Sequence, residues 1–153
     1  ALCDDMAERH GLATLFVPMQ YPSDLAIAER VAENMKTPAY RINRELSVPE
    51  MFSVLAEAEV LVGMRLHSLI YATTLAVPAM AIVYDPKISA FMESLCQPES
   101  VEASTFSKAE AAEKMDRILK EHAKRKEELR ARNAVLRKMA EENAVYALEL
   151  LEK

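Results

Sequence analysis

The sequence predicts an α/β domain on a parallel sheet covered on both faces, followed by long C-terminal helices. Three observations predict it. Short apolar runs at 12–18 (LATLFVP), 59–63 (EVLVG) and 79–84 (AMAIVY) alternate with segments of helical apolar period. Those runs are continuous rather than alternating, as in parallel strands covered on both faces. From Ser107 the texture changes: residues 107–153 hold 12 of the 19 Lys and Arg residues and neither Gly nor Pro.

Each element follows from local chemistry. Residues 1–10 read as the end of a helix stopped by Gly11. Residues 12–18 read as a buried strand and 19–24 (MQYPSD) as a turn, with Ser23 or Asp24 capping a helix towards Lys36. Thr37 and Pro38 interrupt, and 39–42 is a short strand. Ser47 with Glu50 is a capping-box pattern with Pro49 in the first turn, so a helix runs to Glu57 or Ala58. The strand 59–63 leads into a helix opened by Arg65, with Leu66, Leu69, Ile70 and Thr73 on its core face. Strand 79–84 leads into a helix opened by Pro86, with Ile88, Phe91, Met92 and Leu95 inward. These runs predict one parallel sheet containing 12–18, 59–63 and 79–84. Two units are expected: a core over 1–106 and a helical extension over 107–153, one or two helices with a break near His122. That extension packs on the core or returns to a neighbouring N-terminal domain. Its apolar residues do not sustain a heptad, so a coiled coil is not expected.

Composition bounds the function. The 153 residues, 51 % of them hydrophobic, suffice for one ordinary core. The chain starts at Ala1 with an apolar periodic segment, so a piece of a larger protein is expected. Net charge is −5 and basic residues are mixed with acidic ones, which predicts no nucleic-acid footprint. Cys3 and Cys96 form no ligand spacing and read as free thiols in a reducing compartment. The longest uncharged run, 68–84, contains Ser68, Thr73, Thr74 and Pro78, and falls short of the ~20 apolar residues of a membrane span. Asp4 and Asp5 stand where a signal peptide would be basic. A cytoplasmic protein is the expectation.

Ligands of such sheets bind outside the carboxyl ends of the strands. Met19, Gln20 and Asp24 follow the first strand, Gly63 to His67 the next, and Tyr84 to Lys87 the last. Arg65 offers a fork of donors suited to phosphate or carboxylate, at a helix start whose free N–H groups favour anions. Lys87 adds a point charge at a second helix start. The plainer reading of both is a solvated surface charge. His67 lies off the core face of its helix and is the one residue here suited by type to move a proton near neutrality; the plainer reading is a half-buried histidine bonded to a strand-end carbonyl. Asp85 reads as a helix cap, Tyr84 as core with its hydroxyl at the rim, Ser68 as a local first-turn hydroxyl, and Gln20 and Asp24 as turn residues. His10 and His122 lack acidic company in the sequence and read as surface residues. No metal cluster is visible, and with Gly11 and Gly63 the only glycines no Gly-rich phosphate loop is possible.

The run LVGMRLHSLIYATTLAVPAMAIVYDPK resembles the polysaccharide pyruvyl transferase family, and most closely its bacterial cell-wall branch. Gly63, Met64, Arg65, Leu66 and His67 match its G-M-R-L-H run; Tyr84, Asp85, Pro86 and Lys87 match its Y-D-P-K run. Residues 17–24 and 46–63 and the closing VYALELLEK also look similar, so the likeness is read over nearly the whole chain. Residue 76 is alanine where many relatives have glycine before V-P. The resemblance implies the Rossmann-like C-terminal half of a two-domain, glycosyltransferase-B-like protein, with the N-terminal domain of the same protein as a partner and the isolated fragment inactive. It implies transfer of a pyruvyl group from phosphoenolpyruvate to a sugar as a cyclic ketal, with no cofactor beyond that donor substrate. A lipid-linked sugar at the inner face of the plasma membrane is the implied acceptor, and retention of S-layer proteins by the product the implied purpose. His67 corresponds to the acid/base residue, and Arg65 and Lys87 to donor-site positions. Ser68, Tyr84, Asp85 and Gln20 complete the expected substrate-binding set. A glycosyltransferase or sugar-nucleotide epimerase of the same fold is the alternative, and a non-catalytic binding module built on the long helices is another.

Overall fold

The computed structural model describes residues 1–151, so the last two positions of the expected helical extension lie outside the described residues. Twelve elements follow in order: α1 (Leu2–His10), β1 (Thr14–Phe16), α2 (Ser23–Ala32), β2 (Ala39–Arg41), α3 (Val48–Ala56), β3 (Leu61–Gly63), α4 (Leu66–Thr74), β4 (Ala79–Val83), α5 (Pro86–Ser94), β5 (Ser100–Glu102), α6 (Lys108–Lys120) and α7 (His122–Leu151). The fold is α/β, every strand pair is parallel, and long helices close the chain.

Local chemistry sets the boundaries. α1 stops where Gly11 takes φ 68°, its N–H reaching the Ala7 carbonyl and the Leu12 N–H that of Met6. α3 begins where the N–H and hydroxyl of Ser47 both donate to Glu50 Oε2, at 2.9 and 2.7 Å. α6 and α7 are separated at Glu121, next to the expected break. α2 ends at Ala32, short of Lys36, and Pro22 rather than Ser23 or Asp24 is its N-cap.

The expected single sheet is corrected to two ladders. β1 pairs with β2, Thr14 opposite Ala39, while β3, β4 and β5 form a second sheet in that order. The run 12–18 is apolar but for Thr14, yet only three of its residues pair, and it is not a buried strand: Leu15 is 45 % exposed and its partner Tyr40 61 %. β5, with the sequence SVE, was not expected. It has one apolar residue, Val101, which packs beside Met80.

β4 is the centre of the molecule. Met80 faces Met6, Val101, Met115 and Ile118 on the α1/α6 side. Ala79, Ala81 and Val83 face Leu69, Ile88 and Met92 on the α4/α5 side. Burying a side chain of this size contributes about 1.5–3 kcal/mol, so the alternation of Ala with larger residues fixes how close α4 and α5 approach.

α7 is held by its first half. Leu129 is fully buried against Ala76 and Leu95. The Arg125 guanidinium pairs with both carboxylate oxygens of Glu99 at 2.6 and 2.7 Å. Arg132 Nε donates to the Ser94 carbonyl and Asn133 Nδ2 to the Thr73 carbonyl. Beyond Leu136 no residue of α7 is buried. Ala76 sits at φ 58° in the left-handed region. That conformation costs an L-residue about 1–2 kcal/mol; here the methyl is buried, which offsets part of the cost.

Among the described residues, no helix is long and apolar enough to cross a membrane, and no group of three or more His, Cys, Asp or Glu is placed to hold a metal ion. His10 and His122 are not without acidic company: His10 Nε2 lies 2.7 Å from Asp116, and His122 Nε2 lies 2.8 Å from the Glu59 carbonyl and 3.3 Å from its carboxylate. Both contacts span long sequence distances, which local reading cannot see.

Candidate functional site

Gly63 closes β3 and sets the site's geometry. A Cβ there would lie 2.8 Å from Ser68 Oγ and 2.9 Å from Leu69 Cδ2. Only glycine lets α4 fold back this tightly on the strand. Arg65 is the N-cap of α4 in extended conformation, φ −86° and ψ 132°. The Ser68 hydroxyl donates to the Arg65 carbonyl at 2.6 Å, and Ser68 is buried. Ser68 therefore fixes the helix start and does not line a cleft.

The Arg65 side chain reaches back to the turn after β1. Its Nε and Nη2 donate to the two oxygens of Asp24 at 2.8 and 2.7 Å. Asp24 also accepts the backbone N–H groups of Met19 and Gln20 at 3.1 and 2.9 Å. The Arg65 hydrogen bonds, ahead of the backbone ones, hold the Asp24 carboxyl below its usual range despite partial burial. Asp24 in turn holds the guanidinium charged and fixes its plane. Nη1 of Arg65 makes no hydrogen bond among the described residues, so the outer edge of the fork remains available to an anion.

A cleft of about 270 Å³ opens beside this pair. Gln20, Arg65, His67 and Tyr71 supply its polar groups, and Met19, Leu46, Val48 and Met51 its apolar wall. His67 is exposed rather than half-buried. Its ring stands 6.3 Å from that of Tyr71, tilted 50°. Tyr71 is braced from behind by Phe52 of α3, with ring centroids 4.9 Å apart. The arrangement offers a fixed cation edge, the free N–H groups of a helix start and an imidazole, all facing one apolar-walled space.

The last corner is different. Asp85 caps α5, accepting the Lys87 N–H at 3.0 Å, and this bond above all lowers its pKa. The Lys87 ammonium folds back on the same carboxylate at 3.1 Å. Lys87 thus lines neither cleft and does not join Arg65. Tyr84 is 52 % exposed, a surface ring rather than a core one. Of the expected residues, the structure brings Gln20, Arg65 and His67 together, puts Tyr84 and Asp85 in a second cleft, and leaves Ser68 and Lys87 in neither. The sequence alone marks Asp24 as a turn residue and hides its link to Arg65; the signal was an acidic residue in the first turn of the helix that follows a strand.

The family model described as polysaccharide pyruvyl transferase matches residues 1–86. The match contains the whole Gln20–Asp24–Arg65–His67 corner and ends at Pro86, one residue before Lys87. It corrects the reading of the chain as that family's C-terminal domain with likeness over nearly its full length: the matched part is the N-terminal half of the chain, and β5, α6 and α7 lie outside it. No solved structure matches the chain. With more than half of its residues matched, the chain belongs to the polysaccharide pyruvyl transferase family.

Proposed function

We propose that the protein transfers a pyruvyl group from phosphoenolpyruvate to a sugar, forming a cyclic ketal, and that the β3–α4 corner binds the donor. The observation that carries this is the meeting of Arg65, His67 and Gln20 in one cleft within the family-matched residues. Phosphoenolpyruvate has two anionic ends and an electron-rich methylene carbon. The free edge of Arg65 and the α4 N–H groups match an anionic end. His67 protonates the methylene carbon, and positive charge develops at the neighbouring carbon. A sugar hydroxyl adds there, the C–O bond to phosphate breaks, and a second hydroxyl of the same sugar closes the ring. The products are the ketal and inorganic phosphate.

In this reading Asp24 keeps the guanidinium in place without a ligand, so the site is formed before the donor arrives. The Lys87 ammonium reaches the donor only by leaving Asp85, an exposed pair that holds it weakly. A lipid-linked acceptor in cell-wall polysaccharide synthesis, met at the inner membrane face, and a Rossmann-like ancestry for the two ladders belong to the same proposal. The test is acceptor-dependent phosphate release from phosphoenolpyruvate by the purified protein, with mass spectrometry of the sugar product. Phosphate released without a pyruvyl adduct on the sugar would sink it.

A further inference from the structure

A second cleft, of about 420 Å³, opens at the carboxyl ends of β4 and β5. That volume lies within the ~300–1,000 Å³ of small-molecule sites. Half of its lining, Ser89 and Glu102 to Ser104, lies beyond the family match. Val83 and Glu102 are opposite each other in the β4–β5 register, so their side chains share the α5 face. The Ala103 N–H closes the ladder on the Val83 carbonyl at 2.8 Å and turns the chain so that Ser104 also lines the space. Ser89 enters from the first turn of α5, and Tyr84 and Asp85 from the β4–α5 turn.

The chemistry of this lining is the reverse of the Arg65 corner. No cationic side chain lines the cleft. The Asp85 carboxylate is already engaged by Lys87, whereas Glu102 has no ion pair or side-chain hydrogen bond among the described residues. An anion placed here meets Glu102 without compensation. A neutral ligand rich in hydroxyls meets two hydroxyls and a carboxylate that accepts its O–H hydrogens, each such charge-assisted bond stronger than a neutral one. The half-exposed Tyr84 ring adds an apolar face of the size of a sugar ring.

We infer that the Tyr84–Ser89–Glu102–Ser104 cleft binds the neutral sugar ring, leaving anion recognition to Arg65. The acceptor role of that ring rests on the function proposed above; the binding of a neutral polyol does not. The ligand class is a pyranose presenting adjacent hydroxyls to Glu102.

The experiment is backbone amide chemical-shift mapping of the chain by NMR, with N-acetylmannosamine and phosphoenolpyruvate titrated separately. The sugar should move the amides of Ser89, Glu102, Ala103 and Ser104, and phosphoenolpyruvate those of Gln20, Arg65 and His67. Glu102→Gln should weaken the sugar response about tenfold, the scale of one charge-assisted bond, and leave the phosphoenolpyruvate response intact, which also reports that the variant is folded. Tyr84→Ala should weaken the sugar response as well. Sugar shifts confined to the Arg65 corner, sugar shifts untouched by Glu102→Gln, or phosphoenolpyruvate binding at Glu102 would each overturn the inference. If phosphoenolpyruvate left the Arg65 corner unmoved while the sugar still mapped to Glu102, the donor reading would fail and the sugar site would stand.

Discussion

Asp24 and Arg65, 41 residues apart, are joined by two parallel hydrogen bonds of 2.8 and 2.7 Å. The pair ties the turn after β1 to the start of α4 and aims the outer edge of the guanidinium at His67's cleft. Asp24→Asn keeps the shape but weakens the fork. The expected outcome is a raised KM for phosphoenolpyruvate with a smaller change in kcat, because the cation is mis-aimed and the proton donor is untouched. Steady-state kinetics check this; an equal loss in kcat alone would place Asp24 in the proton-transfer step instead.

The same pair predicts acid sensitivity. The Asp24 pKa is lowered in the folded protein, chiefly by Arg65. Its contribution to stability is therefore complete above the ordinary carboxylate pKa of ~3.9, and is lost as pH falls through the depressed folded value. Urea midpoints measured from pH ~4 downward should fall less steeply for Asp24→Asn than for the parent. Parallel curves would show that the pair adds nothing to stability.

His67 is exposed on α4, so its removal should leave the fold intact. His67→Ala should lower turnover ~10²–10⁴-fold, the usual scale of a positioned acid or base, with an unchanged circular dichroism spectrum. Near-normal turnover by the folded variant would remove its catalytic role.

Gly63→Ala tests the tight β3–α4 approach. The added methyl meets Ser68 Oγ and Leu69 Cδ2 inside van der Waals distance. A loss of about 1–3 kcal/mol is expected from overpacking, along with weaker phosphoenolpyruvate use, because Arg65 and His67 ride on the displaced helix start. A thermal melt superimposable on the parent's would count against this account.

Arg125 and Glu99, 7 % and 5 % exposed, form a buried pair. Arg125→Ala leaves Glu99 buried with only the longer Arg117 contact at 3.9 Å, and should cost about 3–5 kcal/mol. Combining Arg125→Met with Glu99→Leu should recover most of that loss, since an apolar pair of similar volume carries no desolvation penalty. Denaturant unfolding of the two variants compares them directly.

Much of the fold was legible because its signals are local. The Ser47–Glu50 start, the Gly11 stop and the Asp85 cap each lie within four residues. The β4 run and the inward faces of α4 and α5 follow from period alone. What failed depended on distance. Residues 12–18 are as apolar as 79–84, but apolarity alone does not say how many residues pair or what covers them, and Leu15 is exposed. β5 is three residues with one apolar side chain, too short for any period. At the site, residue type pointed to Arg65 and His67, but nothing local shows that Asp24, 41 residues away, fills half of the Arg65 fork; the return of Lys87 to Asp85 is a side-chain rotamer that residue type does not fix. Glu102 and Ser104 went unnoticed because β5 did.

Among the described residues the two ladders share no hydrogen bond, yet the Arg65 corner takes Gln20 and Asp24 from the chain after one and Arg65 and His67 from the chain after the other. Amide exchange should register this as two tiers of protection. The fully enclosed β4 exchanges only when the whole molecule opens, while the thinly covered β1–β2 pair exchanges through smaller excursions. Each such excursion pulls on the carboxylate–guanidinium bond, and widens the cleft beside it as that bond gives. The breathing of the weaker ladder thereby becomes a motion of the site itself, and an anion that grips the free edge of Arg65 together with the β1 turn should slow exchange at Thr14–Phe16, a dozen or more ångströms of chain away from where it binds.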